Sequence, residues 1–506
     1  MILKSLEILS ASLKFPYTIC QYSQSTIYSL SSGHGKCGVS VIRVSGPKAK
    51  LALTNLIGKK FEPKPRYAYL KSIYHPKNGD KIDNGLILWF PGPRSFTGED
   101  CCEFQVHGSI AVVNCILGAL STIPEFRLAK PGEYTKRSFY NGKLDLVQAE
   151  GLADLIHSET ESQRKQALLQ ANGTLSKLYG NWRNNIIRSI AHLEAYIDFA
   201  EDENIEDNTI LEIYSNVVNL KNSIEEHLND NRRGEILRNG VRTAIIGRPN
   251  VGKSSFMNYL CQRSISIVTS TPGTTRDIIE SSVNIGEYPV VFADTAGLRN
   301  ITEDAIEAEG INRAVNYIKT ADFVIIIFDA MDLIRHLNQN KSVNEYLRSY
   351  TESLRLPNNV LIDKKIIRIA NKIDLLSENE MQKIVHIGGL NFMSCKTNQS
   401  IEKVIQQIKI CLEEICGNPV PENPYLTKER YRQSLNQCLQ NIYSFLESFQ
   451  IDLNKNQDAI ILDENQDLAI LAQKLRKAVR NIEEITGHIR IDDILDVIFK
   501  DFCIGK

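Results

Sequence analysis

The feature that most restricts what this chain can fold into is Gly247-Arg248-Pro249-Asn250-Val251-Gly252-Lys253-Ser254, set directly after the apolar run Val241-Arg242-Thr243-Ala244-Ile245-Ile246. Strand, glycine-bounded loop and helix in that order fit the phosphate-cradling spacing G-x-x-x-x-G-K-[ST]. Glycines let successive backbone N–H groups curl around an oxyanion with no Cβ in the way. The helix opening near Lys253 adds unpaired N–H donors and the positive end of its dipole. Asn250, Val251, Gly252, Lys253, Ser254 and Ser255 are therefore expected against the phosphates. In that arrangement the Lys253 ammonium neutralises β and γ oxygens, and the Ser254 hydroxyl coordinates Mg²⁺.

Further stretches follow in the right order. Asp294-Thr295-Ala296-Gly297 closes the apolar run Pro289-Val290-Val291-Phe292-Ala293. An acidic residue at that strand end can hold Mg²⁺ through water, and the Gly297 N–H can meet a γ-phosphate. Asn371-Lys372-Ile373-Asp374 follows Ile366-Ile367-Arg368-Ile369-Ala370. The Asp374 carboxylate can accept from the N1–H and 2-amino group of guanine. Adenine has neither donor and would leave the acid unpaired, a strong basis for rejection. Ser394-Cys395-Lys396 is similar to the loop that completes such a base site. Gly273-Thr274-Thr275 supplies a switch threonine, Thr275, as a second Mg²⁺ ligand. Any one motif arises by chance; five in sequence mark a GTPase domain.

A water-orienting Gln directly after the D-x-x-G glycine is missing, because that position is Leu298. An apolar side chain cannot orient water, so the positioning group has to come from elsewhere. The acidic segment from Glu303 to Gly310 lies just beyond. From the residues alone it reads as a solvated helix face.

A length of 506 residues suggests three or four domains, at about 150 residues each. The formal net charge of −1 exerts no global pull toward nucleic acid, so an RNA surface has to be local. The 11 Cys residues form no C-x-x-C pair or zinc-spaced cluster, and reduced, mostly buried thiols are expected. No run of 18 apolar residues occurs, and no membrane span is expected. Residues 1–24 carry Lys4 and Lys14 against Glu7 and no Arg. That is compatible with a mitochondrial presequence and equally with a frayed terminus.

In chain order, residues 25–142 read as a mixed α/β domain, with strands at Val39–Val44 and Gly85–Phe90 and a helix between Ile110 and Leu120. Residues 143–239 are helical, with Leu152, Leu155 and Ile156 opening an apolar stripe. Residues 240–416 are the GTPase domain, a mostly parallel sheet with nucleotide at the strands' carboxyl ends. Three prolines at 417–424 end it, and residues 417–506 return to helix. Leu468, Leu471, Leu475, Val479, Ile482 and Ile485 form one seam there. The two helical stretches are expected to pack as one bundle around the insertion. The cations Arg430, Arg432, Lys474, Lys477 and Arg480 read as a solvated helix surface, with phosphate contact the lesser alternative.

Several rarer strings carry a resemblance: Ser95-Phe96-Thr97-Gly98-Glu99-Asp100, His107-Gly108, the run from Arg127 to Thr135, Asn141-Gly142-Lys143-Leu144-Asp145-Leu146 with Gln148-Ala149-Glu150, and the terminal Phe502-Cys503-Ile504-Gly505-Lys506. With a GTPase set inside a helical domain, they closely resemble the MnmE/TrmE family of tRNA-modification GTPases, from Ser25 to Lys506. The fold implied is multidomain α/β plus α: an N-terminal α/β folate-binding domain and a helical bundle interrupted by a Ras-like P-loop GTPase domain. The extended N-terminus and the string Ser25-Thr26-Ile27-Tyr28-Ser29-Leu30 look like the mitochondrial branch, with a fungal source open. The chain departs from the family at Ser31–Gly38, where a Pro-Pro-Gly-Arg-Gly-Gly type loop is usual.

The resemblance implies a homodimer formed through an N-terminal domain that binds 5-formyl- or 5,10-methylene-tetrahydrofolate. Arg43, Glu103 and Lys143 would line that pocket with Lys506 nearby; for Arg43 and Glu103 a purely structural ion pair is the plainer role. It implies potassium held by Asn250 and the loop Thr269, Ser270, Thr271, Pro272, Gly273 and Thr274, with Asn250, Thr269, Thr271 and Thr274 as ligands. Glu307 would orient the attacking water, Glu309 being the alternative after a one-residue insertion, and Cys503 would sit at the reaction chamber. The partners implied are tRNA and an FAD-containing MnmG/GidA-type protein, joined as a heterotetramer. The function implied is GTP-driven modification of the wobble uridine, with a GTPase switch in ribosome assembly as the alternative.

Overall fold

The computed structural model describes residues 25–199, 208–263, 281–292, 317–354, 356–357, 360–422, 424–452, 459–462 and 468–487, together with 498, 502 and 505. Two compact units divide the chain, one of Met1–Ala153 with Ile482–Lys506 and one of Asp154–Asn481.

The first unit is built on β1 (Thr26–Leu30), β2 (Cys37–Ser45), α1 (Ala49–Leu56), β3 (Tyr69–Tyr74), β4 (Lys81–Phe90), β5 (Cys101–Gly108), α2 (Ile110–Ser121), β6 (Phe126–Leu128) and α3 (Glu133–Tyr140). The strands form one sheet in the order β3-β4-β5-β2-β1-β6, antiparallel except for the β1–β6 pair. Side chains alternate across a strand. Ile42 and Val44 therefore join Phe104, Ile87 and the α1 residues Ala52, Leu53 and Leu56 in the core on one face. Arg43 points to the opposite face, where α3 contributes Tyr134 to a smaller cluster with Ile27 and Ala129. The expected strands and helix in this region are the inner parts of β2, β4 and α2.

The helix α4 (Leu146–His157) buries Leu146, Val147, Ala149, Glu150 and Ala153. The expected stripe of Leu152, Leu155 and Ile156 is only half-buried. Small Ala and Gly side chains face the core, which lets the helix approach closely and displaces the larger residues outward.

The second unit continues with α5 (Glu161–Ala171), α6 (Thr174–Phe199), α7 (Asn208–Leu228) and α8 (Arg233–Asn239). Thr160 caps α5 in a capping box with Gln163, satisfying two end N–H groups reciprocally. Then come β7 (Val241–Ile246), α9 (Lys253–Arg263), β8 (Ser281–Ile285), β9 (Tyr288–Phe292), β10 (Phe323–Asp329), α10 (Ala330–Leu337), α11 (Val343–Ser353), β11 (Lys365–Asn371), α12 (Glu378–Ile384), β12 (Leu390–Phe392) and α13 (Ile401–Cys416). Their sheet runs β12-β11-β10-β7-β9-β8 and is parallel except for the β8–β9 hairpin. The strand β10 is buried from Phe323 to Phe328 because helices cover both faces. Phe323, Ile325 and Ile327 feed one core, while Val324, Ile326 and Phe328 feed the other.

After the insertion come α14 (Glu429–Leu446), β13 (Phe449–Asp452), β14 (Ala459–Leu462) and α15 (Leu468–Thr486). α7 packs on both α6 and α14, so helices from before and after the GTPase segment share one core. Arg476 of α15 pairs with Glu194 of α6. Asn441 of α14 donates to Asn481 of α15 at 3.0 Å.

Candidate functional site

The phosphate loop leaves β7 with Asn250 and Gly252 at φ of +61° and +103°, so its backbone turns through conformations that Gly and Asn tolerate best. An added Cβ at Gly252 would overlap the Asn371 side-chain amide, and that close approach is what the glycine permits. The Lys253 ammonium donates to the carbonyls of Gly247 and Arg248, each at 2.8 Å. Burial pushes its pKa below the usual lysine value. Ser254 and Ser255 are exposed on the first turn of α9, where a hydroxyl can reach a phosphate-bound cation.

The base-recognition segments are joined to this loop by one side chain. Asn371, 2% exposed, donates through Nδ2 to the Val251 carbonyl at 2.8 Å and accepts the Cys395 N–H at 3.1 Å. Ser394 Oγ donates to Asp374 Oδ1 at 2.6 Å, fixing the carboxylate. The second Asp374 oxygen has no partner among the described residues. Lys372, at φ +67°, pairs with Asp329 at 2.8 Å, while Ile373 is buried beneath the turn. Burial raises the Cys395 thiol to about 11, so it is a neutral part of the loop, and Lys396 is exposed beside it.

Thr269, Ser270, Thr271, Pro272, Gly273, Thr274 and Thr275 lie outside the described residues, as do Asp294, Thr295, Ala296, Gly297, Glu307 and Glu309. Cys503, Lys506 and residues 1–24 do as well.

Two features of the second unit escaped the motif reading. Tyr350 accepts the Arg248 N–H at 2.9 Å and donates to the Ile327 carbonyl at 2.8 Å, with the Arg248 guanidinium 5.0 Å from its ring centroid. That latch holds the loop to β10, and no local pattern around Tyr350 announces it. Arg432 is a correction: it is not on a solvated face. It bonds Asp230 at 2.6 Å, Glu235 at 2.9 Å and the Leu228 carbonyl at 2.8 Å. Lys474 likewise donates to the Ser444 carbonyl at 2.7 Å, and Arg430 covers the ring of Tyr431.

In the first unit, Arg43 and Glu103 are direct cross-strand partners on β2 and β5, and they pair with each other at 2.9 Å. The Arg43 guanidinium lies 5.5 Å from the Phe96 ring and 5.7 Å from the Tyr134 ring. The loop carrying Phe96 is held from below. Ser138 Oγ donates to the Phe96 carbonyl at 2.8 Å, Asn141 Nδ2 donates to the Thr97 carbonyl at 2.6 Å, and buried Arg137 pairs with Glu99 at 3.0 Å. Gly98 sits beside Lys143, which is exposed. Burial raises the Glu133 carboxyl, but hydrogen bonds from Arg127 and the Lys130 N–H, with Arg137 alongside, outweigh it and bring it to about 2.

Gly505 closes the arrangement. At φ +106°, it passes so near β1 that an added Cβ would overlap the Leu30 carbonyl oxygen. Leu30 is one residue along from Ser29, which pairs with Arg43. Phe502 packs with Leu146, Ala149 and Ala153. Gly505 thus lies against the same sheet that carries Arg43 and Glu103.

Residues 146–503 match the MnmE helical domain, and residues 26–143 match the GTP-binding protein TrmE N-terminus. The chain belongs to the MnmE/TrmE family of tRNA modification GTPases. It is similar to the 5-taurinomethyluridine-[tRNA] synthase subunit GTPB3, mitochondrial, of Danio rerio, with 42% identity over 95% of this chain and 93% of that protein. It is also similar to the tRNA modification GTPase MnmE of Rickettsia canadensis, at 44% identity over 95% of this chain and 100% of the relative. The tRNA modification GTPase gtpbp3, mitochondrial, of Dictyostelium discoideum is 40% identical over 95% of both chains.

As an MnmE/TrmE protein the chain is a GTP-binding and GTP-hydrolysing enzyme involved in wobble-uridine modification of tRNA. The mitochondrial localisation expected from the sequence is consistent with the mitochondrial members above. Among the described residues, no helix is long and apolar enough to cross a membrane. No group of His, Cys, Asp and Glu side chains there could by itself hold a metal ion. Magnesium fits the exposed Ser254 hydroxyl beside Lys253, as the companion of a bound triphosphate.

Proposed function

We propose that this enzyme installs an aminomethyl-type group at carbon 5 of uridine 34, as carboxymethylaminomethyl or taurinomethyl, together with an FAD-containing MnmG/GidA-type partner. The observation that supports the reading is the placement of Glu103 on β5 and Arg43 on β2 as direct partners, with Gly505 against the neighbouring β1 at Leu30. A pterin edge offers paired donors to a carboxylate such as Glu103, and the cations Arg43, Lys143 and Lys506 suit a glutamate tail. Folate, when bound, supplies the one-carbon unit. In this reading the Cys503 thiol takes part in the modification chemistry.

In the GTPase segment, Asp374 selects guanine, Lys253 and the loop N–H groups hold the phosphates, and Ser254 with Thr275 takes magnesium. Asn250 with Thr269, Thr271 and Thr274 suits potassium, a cation able to do the work of an arginine finger. Glu307 orients the attacking water, with Glu309 as the alternative. Opening and closing of paired GTPase segments then gates the modification step.

Nucleoside mass spectrometry of tRNA from cells with and without the gene tests the reading. Loss of the C5-modified uridine is expected, and its mass identifies glycine or taurine as the amine. Unchanged nucleosides would overturn it. A second reading, a GTPase switch in ribosome assembly without folate chemistry, is favoured by the Arg43–Glu103 ion pair, since each group already satisfies the other. Titration of the full-length protein with 5-formyl-tetrahydrofolate separates the two, and absence of heat favours the switch.

A further inference from the structure

We propose that Tyr350 is a positioning residue for GTP hydrolysis: its hydroxyl sets the peptide plane that aims the Lys253 ammonium at the phosphates of the nucleotide. The inference rests on the phosphate-holding role given to Lys253 above. The plane in question joins Gly247 to Arg248. Its N–H donates to Tyr350 Oη at 2.9 Å, and its carbonyl accepts from Lys253 Nζ at 2.8 Å. In a trans peptide the N–H and C=O bonds point in opposite directions, so holding the N–H outward holds the carbonyl inward. The Arg248 carbonyl accepts the same ammonium at 2.8 Å. Pro249 behind it restricts the Arg248 backbone to extended conformations. An ammonium has three N–H donors. Two go to these carbonyls, and the third is left for a phosphate oxygen.

The hydroxyl that fixes the plane is itself fixed. Tyr350 Oη donates its proton to the Ile327 carbonyl at 2.8 Å. Gly247 lies so close to that same oxygen that an added Cβ would overlap it. Loop and hydroxyl thus share one anchor on β10. The Tyr350 side chain is 1% exposed and packs on Phe328 and Tyr346, with ring centroids 5.7 and 5.9 Å away. Burial raises its pKa, so the donated proton stays on the oxygen. The Arg248 guanidinium covers the ring, and its Nε donates to Ser353 Oγ, one turn further along α11, at 3.0 Å. A residue that only filled the core would need no hydroxyl, and one that only satisfied Ile327 would need only a donor. Tyr350 uses donor and acceptor together, and the group it accepts from belongs to the loop that holds Lys253.

The test compares full-length wild type, Tyr350→Phe, Lys253→Ala and the double variant, all well below their unfolding midpoints. GDP affinity is measured by equilibrium titration, GMP affinity by competition, and GTP hydrolysis as kcat. Tyr350→Phe keeps the ring and removes only the hydroxyl. It is expected to bind GDP about tenfold more weakly and to lower kcat by a similar factor, because the ammonium is displaced from the β and γ oxygens. GMP has no β-phosphate, so its affinity should follow wild type. In the Lys253→Ala background the same substitution should have no further effect on GDP affinity, the non-additivity expected when one residue acts through another. Wild-type GDP affinity and kcat in Tyr350→Phe overturn the positioning role and leave that of Lys253 intact. A loss of GMP affinity equal to the loss for GDP, or a full additional loss in the double variant, also overturns it, since either marks general damage to the loop. Lys253→Ala with wild-type GDP affinity and kcat overturns the role of Lys253 and this inference with it.

Discussion

Gly234, near the start of the helix that leads into the GTPase segment, lies directly against the Leu426 carbonyl on the segment that leaves it. An added Cβ would overlap that oxygen and lie 2.8 Å from the Tyr425 Cβ. The two passages between helical bundle and GTPase segment are therefore one seam. Tyr288 OH donates to the Gly417 carbonyl at 3.3 Å, and Arg432 ties Glu235 to Asp230 beside it.

Gly234→Ala forces this seam apart. Overpacking against backbone costs about 1–3 kcal/mol, and here the backbone of either passage has to move. The thermal midpoint should fall, while GTP affinity stays close to wild type because Asn371, Asp374 and Lys253 are on other elements. An unchanged midpoint would show that the passages part without cost.

His227 makes stability depend on pH. It is 8% exposed. Burial drives its pKa down to about 4, Asp230 opposing and Arg432 assisting. The unfolded chain, with an ordinary pKa of about 6.5, binds this proton more readily than the folded one. The contribution is complete above about pH 6.5 and is lost as pH falls toward 4. Between pH 7 and pH 5 the loss is about 2 kcal/mol, read as a lower urea midpoint. His227→Gln, which retains a polar partner for the Tyr179 hydroxyl, should remove most of that pH slope.

Asn371 connects the phosphate loop to the base loop. Asn371→Ala leaves the Val251 carbonyl and the Cys395 N–H without their partner, at about 1–3 kcal/mol for each buried group. GTP affinity measured by equilibrium titration should drop at least tenfold, GDP affinity with it, since both nucleotides use both loops. Loss of GTP affinity alone would locate the role of Asn371 at the γ-phosphate instead.

Local patterns made some of this legible. Val241–Ile246 followed by a glycine loop could hardly be anything but strand and phosphate cradle, and β7 and α9 lie there. Arg432 was misread because its acidic partners are about 200 positions away, so its periodicity looked like that of any exposed helix cation. Tyr350 was missed for a similar reason: its hydroxyl serves a loop 102 positions upstream. Leu152 and Leu155 followed the helical period, but packing favoured the small Ala149 and Ala153 on the core side. Periodicity reports which residues share a face; long-range pairing decides which face is buried.

Arg43 and Glu103 offer the sharpest test of the first unit. As a partly exposed pair they contribute about 1 kcal/mol or less, so neither role can be inferred from stability alone. A double-mutant cycle with Arg43→Gln and Glu103→Gln separates them. If both groups contact folate, each single variant weakens 5-formyl-tetrahydrofolate binding at least tenfold while the unfolding midpoint barely moves. The double variant should be no better than the worse single one. If the pair is only structural, folate affinity follows wild type in all three proteins, and the double variant recovers whatever stability the single variants lost, because it leaves no half-buried charge unmatched.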